Sequence, residues 1–96
     1  MPPATYQRDR NPHRRLRHAA WKGDVALAKQ MATKGGSIEG RDGDKYTPLL
    51  IAARWDRLEF VKYLVEVHRA DMTVRNAEGD SAYNLAVLYG HDAVAK

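Results

Sequence analysis

Apolar and small residues recur along this chain in short bursts at helical spacing. Each burst opens on a capping residue and closes on a glycine or a polar turn. Leu16, Ala19 and Ala20 form the first stripe, preceded by Asn11-Pro12 and followed by Gly23-Asp24. Asparagine satisfies free amide groups and proline suits the first helical position, so the pattern predicts a helix start. Val25, Leu27, Ala28 and Met31 form a second stripe, stopped by Gly35-Gly36. Thr47-Pro48 repeats the start signal, with Leu49, Ala52 and Ala53 as the stripe behind it. Asp56 is expected to end that helix and to cap the next, whose apolar positions are Leu58, Phe60, Val61, Leu64 and Val65. Ser81 opens a third start, with Leu85, Ala86 and Leu88 behind it, and after Gly90-His91 the next helix is barely begun. Residues 37–45 and 71–80 are turn-rich and predict loops or short hairpins.

The bursts are copies of one another. The segment Leu16 to Gly23 returns as Leu49 to Asp56, and again, with one residue more between the copies, as Tyr83 to Gly90. A period of roughly 33 residues means stacked units, each unable to bury its apolar face alone. The double alanines, Ala19-Ala20 and Ala52-Ala53, fall where neighbouring helices must approach closely. A larger side chain there would cost ~1–3 kcal/mol in overpacking.

The residues that recur resemble the ankyrin repeat. Lys45-Tyr46-Thr47-Pro48-Leu49-Leu50-Ile51-Ala52-Ala53-Arg54-Trp55-Asp56-Arg57 is similar to that family's Gly-x-Thr-Pro-Leu-His-x-Ala-Ala-x-x-Gly-His. Leu58 to Val65 continues it as an outer helix, and Arg69-Ala70-Asp71-Met72-Thr73 is similar to Gly-Ala-Asp-Val-Asn. The resemblance implies an all-α solenoid of helix-turn-helix repeats with short hairpin loops, carrying an extended basic N-terminal arm. It divides the chain into an arm at 1–13 and a repeat domain at 14–96, with repeats at 14–46, 47–80 and a truncated 81–96. Lys45 and Arg69 stand where the family has glycine, Leu50 and Asn84 where it has histidine. One extra residue near His68 implies an outer helix that runs longer or ends in a strained turn.

Charge changes this picture at one end. The net charge of +4 is unevenly placed: residues 1–23 hold six basic side chains against Asp9, a net of +5, and the remainder is close to neutral. Arg8, Arg10, Arg14, Arg15 and Arg17 therefore form a candidate contact for an anionic partner, whether nucleic acid, an acidic protein face or anionic lipid. No cysteine is present, so neither disulfides nor thiolate metal sites support the fold. A chain of 96 residues buries about 60–65 % of its unfolded surface, which predicts marginal stability. No apolar run approaches a membrane span. An intracellular location is expected, cytoplasmic first; the Arg-rich, acid-poor start weakly resembles a mitochondrial targeting segment.

The resemblance places the binding surface on the concave face, built from hairpin tips and exposed inner-helix positions. Carried over by position, these are His18, Trp21 and Lys22, then Asp44, Tyr46, Ile51, Arg54 and Trp55, then Glu78, Asp80, Leu85, Leu88 and Tyr89. Tryptophan, tyrosine and arginine dominate interface hot spots because they bury large area with few rotors and keep a polar handle. The short last unit is expected to leave Leu85, Leu88 and Val94 uncovered. Catalysis finds no constellation. The four histidines are scattered, and Asp42-Gly-Asp44 and Glu78-Gly-Asp80 suit turns better than calcium. No enzyme activity, cofactor or metal is expected. The reading is a protein–protein interaction or scaffold module, an accessory subunit of a larger assembly. A ribonucleoprotein role through the arm is the alternative.

Overall fold

In the computed structural model of the chain, residues 10–95 are described, and they hold six helices and no strand. These are α1 (Pro12–Lys22), α2 (Val25–Thr33), α3 (Pro48–Arg54), α4 (Leu58–His68), α5 (Ala82–Leu88) and α6 (Asp92–Ala95). The inner helices α1, α3 and α5 stack in that order, and α2, α4 and α6 form the outer layer.

Each inner helix starts where a side chain takes over free backbone amides. The Asn11 carboxamide oxygen accepts from the His13 and Arg14 amides. Thr47 Oγ1 accepts from the Leu50 amide at 3.3 Å, and Ser81 Oγ from the Asn84 amide at 3.2 Å. Each inner helix ends just before a residue in the left-handed region, with φ of 77° at Gly23, 60° at Asp56 and 73° at Gly90. Asp56 therefore takes the glycine's place, one residue before the cap position. This corrects the expectation that it caps α4: Arg57 fills that position and makes no side-chain cap bond. In the first unit Asp24 stands at the equivalent cap position and does accept from the Leu27 amide.

Arg57 and His91 share a repeat position, and both reach back one unit. The Arg57 Nε donates to the Trp21 carbonyl at 2.8 Å, and His91 Nε2 donates to the Arg54 carbonyl at 2.8 Å. Each thus satisfies a carbonyl that the end of the preceding inner helix leaves open. Unit-to-unit order is held by a polar clasp as well as by packing.

The core lies between the two layers. Leu16, Ala19 and Ala20, then Leu49, Leu50, Ala52 and Ala53, then Ala82, Leu85 and Ala86 are buried along the inner helices, with Met31, Phe60 and Leu64 from the outer ones. Hairpin loops stack beside them. Asp42 Oδ1 accepts from the Asp44 and Tyr46 amides, and at the same place in the next unit Asn76 Oδ1 accepts from the Glu78 and Asp80 amides. The Ala77 amide donates to the Asp44 carbonyl and joins the two tips. The second outer helix both lengthens and ends under strain, as the extra residue implied. Helix α4 has 11 residues against 9 in α2, and Arg69 stops it at φ 50°.

The last unit differs from expectation at two positions, Leu85 and Val94. Leu85 is 1 % exposed, because α5 turns its Ala82-Leu85-Ala86 stripe back onto α3. The uncovered apolar residues are instead Tyr83 at 62 %, Val87 at 54 % and Leu88 at 66 % exposure. Tyr83 and Val87 stand where Leu49 and Ala53 stand one unit earlier, and no further unit covers them among the described residues. Val94 is half-buried against the core.

Candidate functional surface

The C-terminal turns of the three inner helices bring the aromatic candidates together. Trp21 lies in the last turn of α1, and Trp55 and Tyr89 are the C-cap residues of α3 and α5. Tyr46 precedes the Thr47 cap. The rings form two groups along the stack, bridged by Arg54. His18 stacks on Trp21 at 5.6 Å between centroids, and Trp21 meets Trp55 edge-on at 6.4 Å. Tyr89 stacks on His91 at 6.3 Å. Arg54 joins the second and third units. Its guanidinium carbon lies 5.2 Å from the Trp55 ring centre, 5.4 Å from Tyr89 and 5.7 Å from Tyr46, within the range of cation–π attraction. Arg54 Nη1 also donates to the Tyr46 hydroxyl at 3.4 Å.

Accessibility divides these residues. Trp55 is 38 % and Tyr89 46 % exposed, so both rings are open to solvent. Lys22 and Leu88 are exposed, whereas Trp21, Tyr46, Ile51 and Arg54 are half-buried. Ile51 packs against the core and presents only an edge. Trp21 Nε1 is enclosed with no hydrogen-bond partner, and its ring packs edge-on against Trp55. Burial, followed by the positive charges of Lys22 and Arg15, holds His18 below its ordinary pKa of 6.5. A neutral imidazole is therefore favoured in the stack.

The five arginines of the basic end are not gathered on one extended segment. Arg8 lies outside the described residues. Arg10 precedes the Asn11 cap and is exposed. Arg14, Arg15 and Arg17 are part of α1, and Arg17 lies against Gly40 of the first loop. The hairpin tips carry Asp44 and Glu78 exposed and Asp80 half-buried. Among the described residues no group of histidines and carboxylates is placed to hold a metal ion, and no helix is long and apolar enough to cross a membrane.

His91 was not among the sequence candidates, although it pins Arg54 from below. Its Nδ1 lies 3.7 Å from the Asp56 carboxylate while its Nε2 holds the Arg54 carbonyl. The signal was the shared repeat position of Arg57 and His91, two side chains able to donate a hydrogen bond.

Comparison with known proteins agrees with the repeat fold. A family model described as ankyrin repeats, in 3 copies, matches residues 16–96. The chain is 32 % identical over 81 residues to the liver isoform of mitochondrial glutaminase from Mus musculus, a stretch that is 84 % of this chain and 14 % of that protein. It is 34 % identical over 71 residues to an ankyrin repeat-containing protein of Schizosaccharomyces pombe, covering 74 % of this chain and 33 % of that one. Over 45 residues, 47 % of this chain and 3 % of the relative, it is 49 % identical to alpha-latroinsectotoxin-Lt1a of Latrodectus tredecimguttatus. The chain thus spans a small part of the length of the curated relatives it matches. Repeats of this kind serve as protein-interaction modules rather than as catalysts. With its helix pairs, its hairpin tips and its match over residues 16–96, the chain belongs to the ankyrin-repeat family.

Proposed function

We propose that this ankyrin-repeat chain docks a protein partner on its aromatic concave face and acts as a small accessory subunit of a larger assembly. The observation that carries the reading is the set of rings Trp21, Trp55 and Tyr89, drawn from all three units and tied together by Arg54. Rigid aromatic residues held in place by cation–π contacts lose little freedom on binding, which is what makes such residues hot spots. Trp55 and Arg54 anchor the partner, with Tyr46, Tyr89, Leu88 and Lys22 around them, and Trp21 and Ile51 support the surface from beneath. The assembly works inside the cell, in the cytoplasm first and in mitochondria as the alternative.

A second reading rests on the charge of +5 within residues 1–23, with Arg10 and Arg14 exposed. In it the basic end grips phosphates of a nucleic acid. Affinity capture of the full chain from its own cells, at low and high salt, separates the two. Phosphate binding weakens steeply with salt and is lost when Arg8, Arg10, Arg14 and Arg15 are replaced together by glutamine. Docking on the aromatic face survives both treatments. Substitution serves better than deletion of residues 1–15, since that deletion would also remove Asn11, which caps α1.

A further inference from the structure

The Arg54 guanidinium is held in place without being neutralised. Three rings surround it at 5.2–5.7 Å, and one of its donors makes a long, 3.4 Å bond to a neutral hydroxyl. Among the described residues no carboxylate lies within ion-pair distance of it. The nearest acid in sequence, Asp56, is turned toward His91 at 3.7 Å. His91 at the same time fixes the backbone beneath Arg54 by donating to its carbonyl. The head group is thus located from both sides, while most of its five donors have no acceptor among the described residues.

We propose that Arg54 is the recognition point for a single carboxylate, an aspartate or glutamate side chain in an otherwise apolar or uncharged segment of the partner protein. This rests on the docking reading above and names the chemistry that would be read there. A planar guanidinium with free edge donors matches a carboxylate in a two-pronged pair. The surrounding rings supply apolar walls, so that pair forms partly out of water and gains strength. The same rings argue against a phosphate or a nucleic-acid strand. Their faces are electron-rich, and Arg54 is the one cation they hold among the described residues. One guanidinium balances one monoanion, whereas a polyphosphate backbone asks for several converging cations. Charge complementarity thus selects an isolated acid.

The test is peptide selection with the full chain. A library of short random peptides is displayed and selected on the unmodified chain, Arg54→Gln, Arg54→Glu and Trp55→Ala, each first shown to be folded by circular dichroism. The expected result is enrichment of Asp or Glu at one fixed position beside an apolar residue. Arg54→Gln loses that preference and binds the selected peptides about tenfold more weakly, equivalent to ~1.4 kcal/mol. Arg54→Glu turns the preference to Lys or Arg at the same position. Peptides that need Trp55 but show no acid preference overturn the inference and leave the docking reading standing. Peptides that bind all four chains alike, or no enriched peptide on the unmodified chain, overturn both. Preference for phosphorylated versions of the same peptides, dependent on Arg54, also overturns the carboxylate assignment.

Discussion

Thr47 and Ser81 do the same job in successive units, but in different surroundings, and that difference sets a measurable contrast. Thr47 is fully buried, and its hydroxyl accepts from the amide of Leu50, which is itself 0 % exposed. Thr47→Val keeps the shape and removes the acceptor. Losing an N-cap costs about 1 kcal/mol, and a buried amide left without a partner costs ~1–3 kcal/mol. These describe one bond, so they do not add, and about 2 kcal/mol is expected. Ser81 caps α5 through a bond to the exposed Asn84 amide, which water can take over. Ser81→Ala should therefore cost roughly 0.5 kcal/mol. For a domain of this size the two figures correspond to falls in Tm of about 10 °C and about 3 °C. Thermal and urea unfolding followed by far-ultraviolet circular dichroism measures both. Equal losses, or a Thr47→Val chain that melts with the parent, would refute the claim that burial of the cap decides its weight.

Further outcomes follow from the backbone and from His18. Arg69 ends α4 at φ 50°, where glycine is free of the side-chain penalty. Arg69→Gly should stabilise by about 0.5–1 kcal/mol, read as a Tm rise of a few degrees. A Cβ on Gly36 would meet the carbonyl oxygens of Met31 at 2.8 Å and Pro12 at 2.9 Å, whereas one on Gly43 would meet nothing within 4 Å. Gly36→Ala should cost about 2 kcal/mol and Gly43→Ala less than about 0.5 kcal/mol, and equal melting of the two would contradict this packing. Burial and nearby positive charge lower the His18 pKa below 6.5, so on acidification the unfolded chain takes up this proton before the folded one. The contribution of neutral His18 is complete above the unfolded value. It falls as pH drops below 6.5 and is gone below the folded value. A comparison of Tm against pH for the parent and His18→Gln should show a shallower acid fall in the variant.

Much of the architecture was readable because the repeat states each signal more than once. Asn11-Pro12, Thr47-Pro48 and Ser81 announced helix starts, and the double alanines located the close approaches. What the sequence obscured was register at single positions. Asp56 resembles a cap by residue type, but its place in the repeat is that of Gly23 and Gly90, and a left-handed backbone directs its carboxylate elsewhere. Leu85 resembled a free inner-helix residue. It shares the face of Ala82 and Ala86 that packs on α3, and that packing buries it. Tyr83 and Val87 lie outward because no further unit covers them among the described residues. At the candidate surface, residue types pointed to Trp21, Arg54, Trp55 and Tyr89, but pairwise geometry lay beyond them. That Arg54 sits between rings from the second and third units, or that His91 holds its carbonyl, follows only from three-dimensional stacking.

The most direct measurement of the central claim is the affinity of a captured partner for the full chain and for Trp55→Ala, compared by titration at matched salt. The account predicts a folded Trp55→Ala chain that binds at least about tenfold more weakly, as removal of an aromatic hot spot does. Unchanged affinity in a Trp55→Ala chain that melts like the parent would contradict it.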